Sequence, residues 1–363
     1  MPATTIKSVH CLPMRLPFDH GAPPPLFAGK PRTTIDSALV RVELEGGLVG
    51  WGESYAPELT AIHAFFETRV APLAVGRDAQ DPTLAATLER MLHNMGRSGL
   101  MVHAISGLDI ALHDLRAKLE GVPLYTLLGG ARRTRIPAYA SLLQYYGDGD
   151  LVRRNVGRAL EAGYRQIKLH ERSASAVAAA RAEMGAATPL MLDTNCAWRY
   201  PEAVVAAREL DEFNLAWLEE PLWPPEDLES LERLGKGTDI PLAVGENASS
   251  LYELTSMVEM GLVDYIQPSA IKSGGVSTLV EVARLCADRS TVFSPQSAFF
   301  GPGLLATLHV LAAQAREVAV EHLFCELDIT PFADTHPCRD GWFELNDRPG
   351  LGAEPRAELL AAP

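Results

Sequence analysis

Asp193, Glu219 and Glu246 each close a short apolar run, PLMLD, LAWLE and PLAVGE, and stand 26 and 27 residues apart. That interval is about one strand-helix unit of a (β/α)8 barrel, whose eight units take roughly 250 residues. Each acid is therefore expected at the same rim, on neighbouring strands. Three carboxylates brought together repel one another unless they are protonated or neutralised by a cation, and hard oxygen donors in that number suit Mg2+. The spacing predicts a metal centre. In Ile167-Lys168-Leu169-His170 the alternation of a strand puts Lys168 and His170 on one face, toward the same centre.

Eight short strands that would carry these residues can be placed from residue 135 onward: RIPAYAS, YRQIKLH, PLMLDTN, LAWLEEP, PLAVGEN, VDYIQPS, TVFSPQS and VAVEHL. Between them lie stretches such as DLVRRNVGRALEAG and PEAVVAARELDEF, whose apolar residues recur at three and four. Gly163 and Gly261 suit the ends of such helices. Strand alternating with helix implies a parallel sheet, and eight repeats favour closure into a barrel over an open doubly wound sheet. No GxGxxG follows a strand, so no nicotinamide, flavin or other organic cofactor is expected. Ahead of the barrel, alternating runs at 5–11 and 37–44 and then EGGLVGWGE read as a small antiparallel sheet, followed by helices from about 58 to 120. The fold expected is α/β: a modified (β/α)8 TIM-type barrel at 131–325 under an N-terminal α+β capping domain at 1–130, completed by the C-terminal segment 326–363.

The sequences around the three acids, LDTN, WLEEP and VGEN, resemble the enolase superfamily in its mandelate racemase and muconate lactonising branch. So do LDIALHDLRAKLEGVPLYTLLGG at 108–130, IKLH, IQPSAIKSGG and VEHL, and the resemblance covers nearly the whole chain. It implies a Mg2+ enzyme in which a base removes the proton next to a substrate carboxylate and the metal stabilises the enediolate. It also implies that Glu219, not Glu220, is the ligand in Glu219-Glu220-Pro221. Where members carry Lys-x-Lys this chain has Lys168 and His170, so His170 takes the base position and Lys168 would hold the carboxylate. An imidazole titrating at about 6.5 is largely neutral at pH 7 and needs less tuning than a lysine.

On the other face of the substrate the chain departs from the family. Racemase-like members have Asp on the sixth strand and His on the seventh; here Ser269 and Gln296 stand there, and neither titrates near neutrality, though both can hydrogen-bond a hydroxyl. Lys272 matches a lysine that members keep beside their Gly pair and reads as structural. Glu321 fits an acid facing the substrate, whose burial-raised pKa would let it protonate an oxygen. Asn195 could assist metal or substrate, or cap the following turn. From the cap, His20, Phe27, Lys30 and Arg32 in one loop and Ser54 and Tyr55 in another are candidates for specificity, joined by Tyr145 and Tyr146 after the first barrel strand.

A single base points to β-elimination of water from a hydroxylated carboxylic (sugar) acid. A racemase, epimerase or cycloisomerase is the runner-up, and a catalytically silent barrel that only binds carboxylates is the reading from another class. A formal charge of −14 argues against a nucleic-acid partner. Five cysteines with no CxxC suggest reduced thiols in a cytoplasm, and no run reaches a signal or membrane span. A homo-oligomer is expected. Residues 17–31, with five Pro and two Gly, read as a loop over the site.

Overall fold

The computed structural model describes residues 3–27, 29–332 and 338–360. Ile6–Asp19, Thr34–Leu44 and Val49–Tyr55 form an antiparallel sheet, and Glu326–Leu327 pairs with the end of the first strand at Phe18 and Asp19. The first strand thus runs past the expected 5–11 and enters the Pro-rich segment, whose own Leu26–Phe27 and Lys30–Pro31 pair as a short hairpin. The long helix Leu100–Glu120 packs on this sheet with most of its residues buried. Close approach is possible because the contact is made of glycines. A Cβ on Gly52 would lie 1.9 Å from the Gly107 carbonyl oxygen, and one on Gly50 would lie 2.5 Å from that of Ala111. The helix ends on Gly121 in the left-handed conformation, where Gly carries no Cβ penalty.

All eight expected barrel strands form: Arg135–Leu142, Ile167–Leu169, Leu190–Asp193, Trp217–Glu219, Leu242–Val244, Tyr265–Ile266, Val292–Phe293 and Val320–Leu323. Consecutive strands pair in parallel from the first to the seventh, and the eighth pairs with the first. The seam between seventh and eighth is bridged by Ser297, whose amide donates to Glu321 Oε2 at 3.1 Å and whose hydroxyl donates to the Glu321 carbonyl at 2.7 Å. Inside the barrel Tyr139, Met191, Trp217, Ala243 and Ala319 pack into a buried layer. Outside it the helices cover the sheet as amphipathic segments. Gly149–Glu161, for example, buries Val152, Val156 and Ala159 and starts at Asp148, whose side chain accepts from the amides of Asp150 and Leu151. The C-terminal segment serves both bodies, since Trp342–Glu344 pairs antiparallel with the first barrel strand while Glu326–Leu327 joins the cap.

Two contacts fix the cap over the barrel mouth. Met14, Leu16, Ile35, Leu39 and Trp51 of the cap pack with Leu143, Phe300 and Leu323. The loop after the sixth strand is gripped from above: Gly274 N donates to Ser106 Oγ at 2.8 Å, Ser277 donates to Asp109 through amide and hydroxyl, and Tyr55 N donates to the Ile271 carbonyl. Among the described residues no helix is long and apolar enough to cross a membrane.

Candidate active site

The second strand delivers Lys168 to the centre of the rim. Its Nζ, 1% exposed, stands 2.7 Å from Glu219 Oε1, 2.8 Å from Glu321 Oε1 and 3.4 Å from Asp193 Oδ2. Burial pulls the ammonium toward neutrality, but Glu219 and Glu321 outweigh it and hold its pKa well above the usual lysine value. One cation faces three carboxylates. Asp193 ends far below the ordinary range despite burial, because Lys168 and His170 both favour its charge. Glu219 is pushed well above that range by burial and by its like-charged neighbours Asp193, Glu321 and Glu246, which Lys168 does not offset.

The carboxylates are oriented by neutral donors. Trp217 Nε1 and Gln267 Nε2 donate to Glu219 Oε2 at 2.8 and 2.9 Å. Asn195 donates backbone and side-chain N–H to Asp193 Oδ1, each at 2.9 Å, from a left-handed φ of 48° that Asn tolerates. Glu246, after the fifth strand, faces Lys272 Nζ at 3.9 Å. Among the described residues no three His, Cys, Asp or Glu side chains lie close enough together to clasp a metal. Lys168 stands between two of the three expected ligands, and Glu246 turns to Lys272. The donor chemistry nevertheless fits a hard divalent cation: all three groups are oxygen acids, and the raised pKa of Glu219 reflects a cluster with more acids than Lys168 alone offsets. Glu220, the neighbour that the sequence pattern set aside, points away and accepts from Gly245 N at 3.0 Å.

His170 lies just beyond the strand. Its Nδ1 meets the Leu142 carbonyl at 2.6 Å and its Nε2 meets Asp193 Oδ2 at 3.2 Å. A carbonyl only accepts, so Nδ1 carries the proton and Nε2 is the basic nitrogen. The sequence suggested a largely neutral ring. Instead, Asp193 outweighs burial and raises the pKa above the usual histidine value. Glu321 also differs from expectation: burial pushes it up, but Lys168 and the Ser141 hydroxyl, which donates at 2.7 Å, bring it below the ordinary range. It is an ionised clamp on Lys168 rather than a ready proton donor.

Ser269 and Gln296 are paired by a parallel bridge. Ser269 Oγ and Gln296 Oε1 are buried without a hydrogen-bond partner among the described residues. A cavity of about 610 Å3 opens over the rim, with His170, Asn195, Glu246, Gln296 and Glu321 on the barrel side. Arg32, Asp36 and Tyr55 line its cap side. Several expected contacts are not on this wall, Lys30 among them. His20 turns inward as the first cap strand ends, stacks on Tyr145 at 5.5 Å and meets the Pro23 carbonyl at 3.0 Å, so both rings pack behind the cavity. Ser54 is fully buried against the cap helix, while Tyr146 accepts from Leu26 N and braces the loop hairpin. Lys272, read from sequence as structural, does line the cavity, its Nζ 5.2 Å from the Tyr55 ring. Gln267 and Asp36 escaped notice, although each sits on a strand or strand end in register to face inward.

Residues 19–129 match the mandelate racemase / muconate lactonizing enzyme N-terminal domain, and residues 151–359 match the enolase C-terminal domain-like family. The chain belongs to the enolase superfamily, in its mandelate racemase and muconate lactonizing branch. It is 31% identical to the L-talarate/galactarate dehydratase of Salmonella typhimurium over 89% of this chain and 81% of that protein. It is 30% identical to the D-galactarolactone cycloisomerase of Agrobacterium fabrum, over 89% of each. A racemase from Streptomyces coelicolor, crystallised with bound magnesium, superposes with a TM-score of 0.86 at 26% identity over 97% of this chain and 98% of that one. The protein is therefore an enzyme of the dehydratase or isomerase type.

Proposed function

We propose that the protein is a Mg2+-dependent dehydratase that removes the proton α to the carboxylate of a sugar acid and expels the β-hydroxyl as water. The observation that carries this reading is the asymmetry of the rim. On one side His170 is fixed by the Leu142 carbonyl, with Nε2, 3.2 Å from Asp193 Oδ2, as its basic nitrogen; on the side read as opposite stand Ser269 and Gln296, which do not titrate near neutrality. Asp193, Glu219 and Glu246 would hold Mg2+, which when bound would supply positive charge to offset these carboxylates and to polarise the carboxylate of the substrate. Lys168 adds a fixed positive charge beneath it. His170 accepts the α proton, and the resulting imidazolium is placed to return a proton to the departing hydroxyl, so one group serves as base and then as acid. Ser269 Oγ and Gln296, with unused hydrogen-bonding capacity, hold hydroxyls of the substrate. The cap sheet, joined by Glu326–Leu327, covers the site at the barrel mouth. The five cysteines are all unpaired, in keeping with a reducing cytoplasm.

Turnover of sugar acids in D2O with Mg2+ tests the reading. Wild type should release water and form a keto-deoxy acid, and His170→Asn should lose roughly 10²- to 10⁴-fold in rate while folding normally. A His170→Asn enzyme near the wild-type rate would sink it, as would a product that keeps every oxygen, which is the cycloisomerase or racemase outcome.

A further inference from the structure

We infer that the substrate is a sugar diacid, with Arg32 of the cap holding the carboxylate remote from the metal centre. This rests on the reading of the cleft as a sugar-acid site. It comes from pairing the charges on the cavity wall. Lys272 faces Glu246, Lys168 lies below among its three acids, and Glu321 and Asp193 are taken by Lys168 and His170. Two cations of the wall, Arg32 and Arg172, have no carboxylate within 4.0 Å among the described residues. Arg172 is exposed and reaches solvent, whereas Arg32 is half-buried at the roof of the cavity.

Arg32 is held but unsatisfied. Its backbone is fixed by donation to the Pro25 carbonyl at 2.7 Å, and its guanidinium lies over the Phe27 ring at 5.7 Å. Of its five side-chain N–H groups only Nε–H finds a partner among the described residues, the Thr34 carbonyl at 3.3 Å. The outer edge, two parallel N–H donors suited to bidentate carboxylate recognition, likewise remains free among them. Asp36 nearby is engaged at 3.7 Å by Arg15, and its buried Oδ1 has no hydrogen-bond partner among the described residues. It suits a hydroxyl of the chain between the two carboxylates. With Mg2+ held beside Glu246 on the barrel wall and the Arg32 guanidinium on the cap wall, the cavity would have two anion-seeking ends, and about 610 Å3 accommodates a six-carbon acid.

Galactarate and galactonate share their hydroxyl configuration and differ only at the end remote from C1, as carboxylate against hydroxymethyl. Calorimetry of the Mg2+-loaded protein with this pair and with the other aldarate/aldonate pairs should show the best diacid binding roughly tenfold or more tighter than its monoacid. Arg32→Gln should collapse that ratio by roughly 10- to 100-fold, chiefly through KM rather than kcat wherever turnover is seen. Arg32→Lys should restore part of the ratio, since it keeps the charge and loses the fork. A merely structural Arg32 would weaken diacid and monoacid alike. Wild-type preference for monoacids, binding of no diacid, or a ratio unmoved in Arg32→Gln each overturns the inference. Binding also separates it from the dehydratase reading. A diacid held through Arg32 but released without loss of water would leave the inference standing and the proposed reaction refuted.

Discussion

One ammonium against three carboxylates sets the charge state of the floor of the site. Lys168 stands nearest Glu219 and Glu321 and further from Asp193, yet burial and the repulsion of its like-charged neighbours still outweigh the ammonium at Glu219, where Trp217 and Gln267 add neutral donors. Those donors matter as orienters, because an acid gripped at Oε2 presents Oε1 in a fixed direction. Glu219→Gln should remove most Mg2+ affinity. Gln267→Leu, which leaves the ligand in place but releases its far oxygen, should weaken Mg2+ binding by about 10- to 100-fold. Calorimetric titration of the dialysed proteins with Mg2+ checks both, and unchanged affinity in Gln267→Leu would show that Glu219 needs no such support. The three acids proposed as ligands stand out in the sequence because each ends an apolar run, a one-dimensional signal with a period. Gln267 was not. It follows Tyr265-Ile266 like any polar strand-end residue, and its value lies in reaching a carboxylate 48 positions earlier in the chain.

At the scale of elements, the loop after the sixth strand depends on a glycine for its contact with the cap. Gly275 has φ 78°, and a Cβ there would lie 2.3 Å from Asp109 Oδ2, the carboxylate that caps Ser277 at the start of helix Gly275–Cys286. Gly76 is the natural control: φ is 83°, and nothing lies within 4 Å of its would-be Cβ. Gly76→Ala should cost only the left-handed backbone penalty, about 1–2 kcal/mol. Gly275→Ala should add the lost cap and displaced helix, for a total of roughly 2–4 kcal/mol. Equal losses in chemical denaturation would mean that Asp109 moves aside freely. The eight barrel strands could be read because strand and helix periods alternate along the chain at a regular interval. The cap's hold on Gly274 and Ser277 could not, since Ser106 and Asp109 point out of a helix whose partner is known only once the chain is folded. For the same reason His20 looked like a loop residue free to meet substrate, when the strand before it carries the ring inward against Tyr145.

For the whole molecule, the joint between cap and barrel contains an acid that makes stability depend on pH. Glu53, fully buried on the last strand of the cap sheet, accepts from the Ser37 hydroxyl at 2.7 Å and from Gly303 N at 2.9 Å, at the start of helix Pro302–Ala313. Burial raises its pKa to about 7 from an ordinary 4.5, against the opposing pull of these donors. Because the folded protein binds this proton more tightly than the unfolded chain, the stabilising contribution is complete below the unfolded value. It is lost as pH rises through about 7. The span of the shift corresponds to roughly 3 kcal/mol between acid and alkaline limits. Glu53→Gln keeps the shape and removes the titration, so its stability should fall less than that of wild type between pH 5 and pH 8. Chemical denaturation midpoints measured across that window decide the matter: parallel curves for the two proteins would place the pH dependence elsewhere, whereas curves that converge at low pH and separate above neutrality, with the variant the more stable, would locate it at the cap–barrel joint.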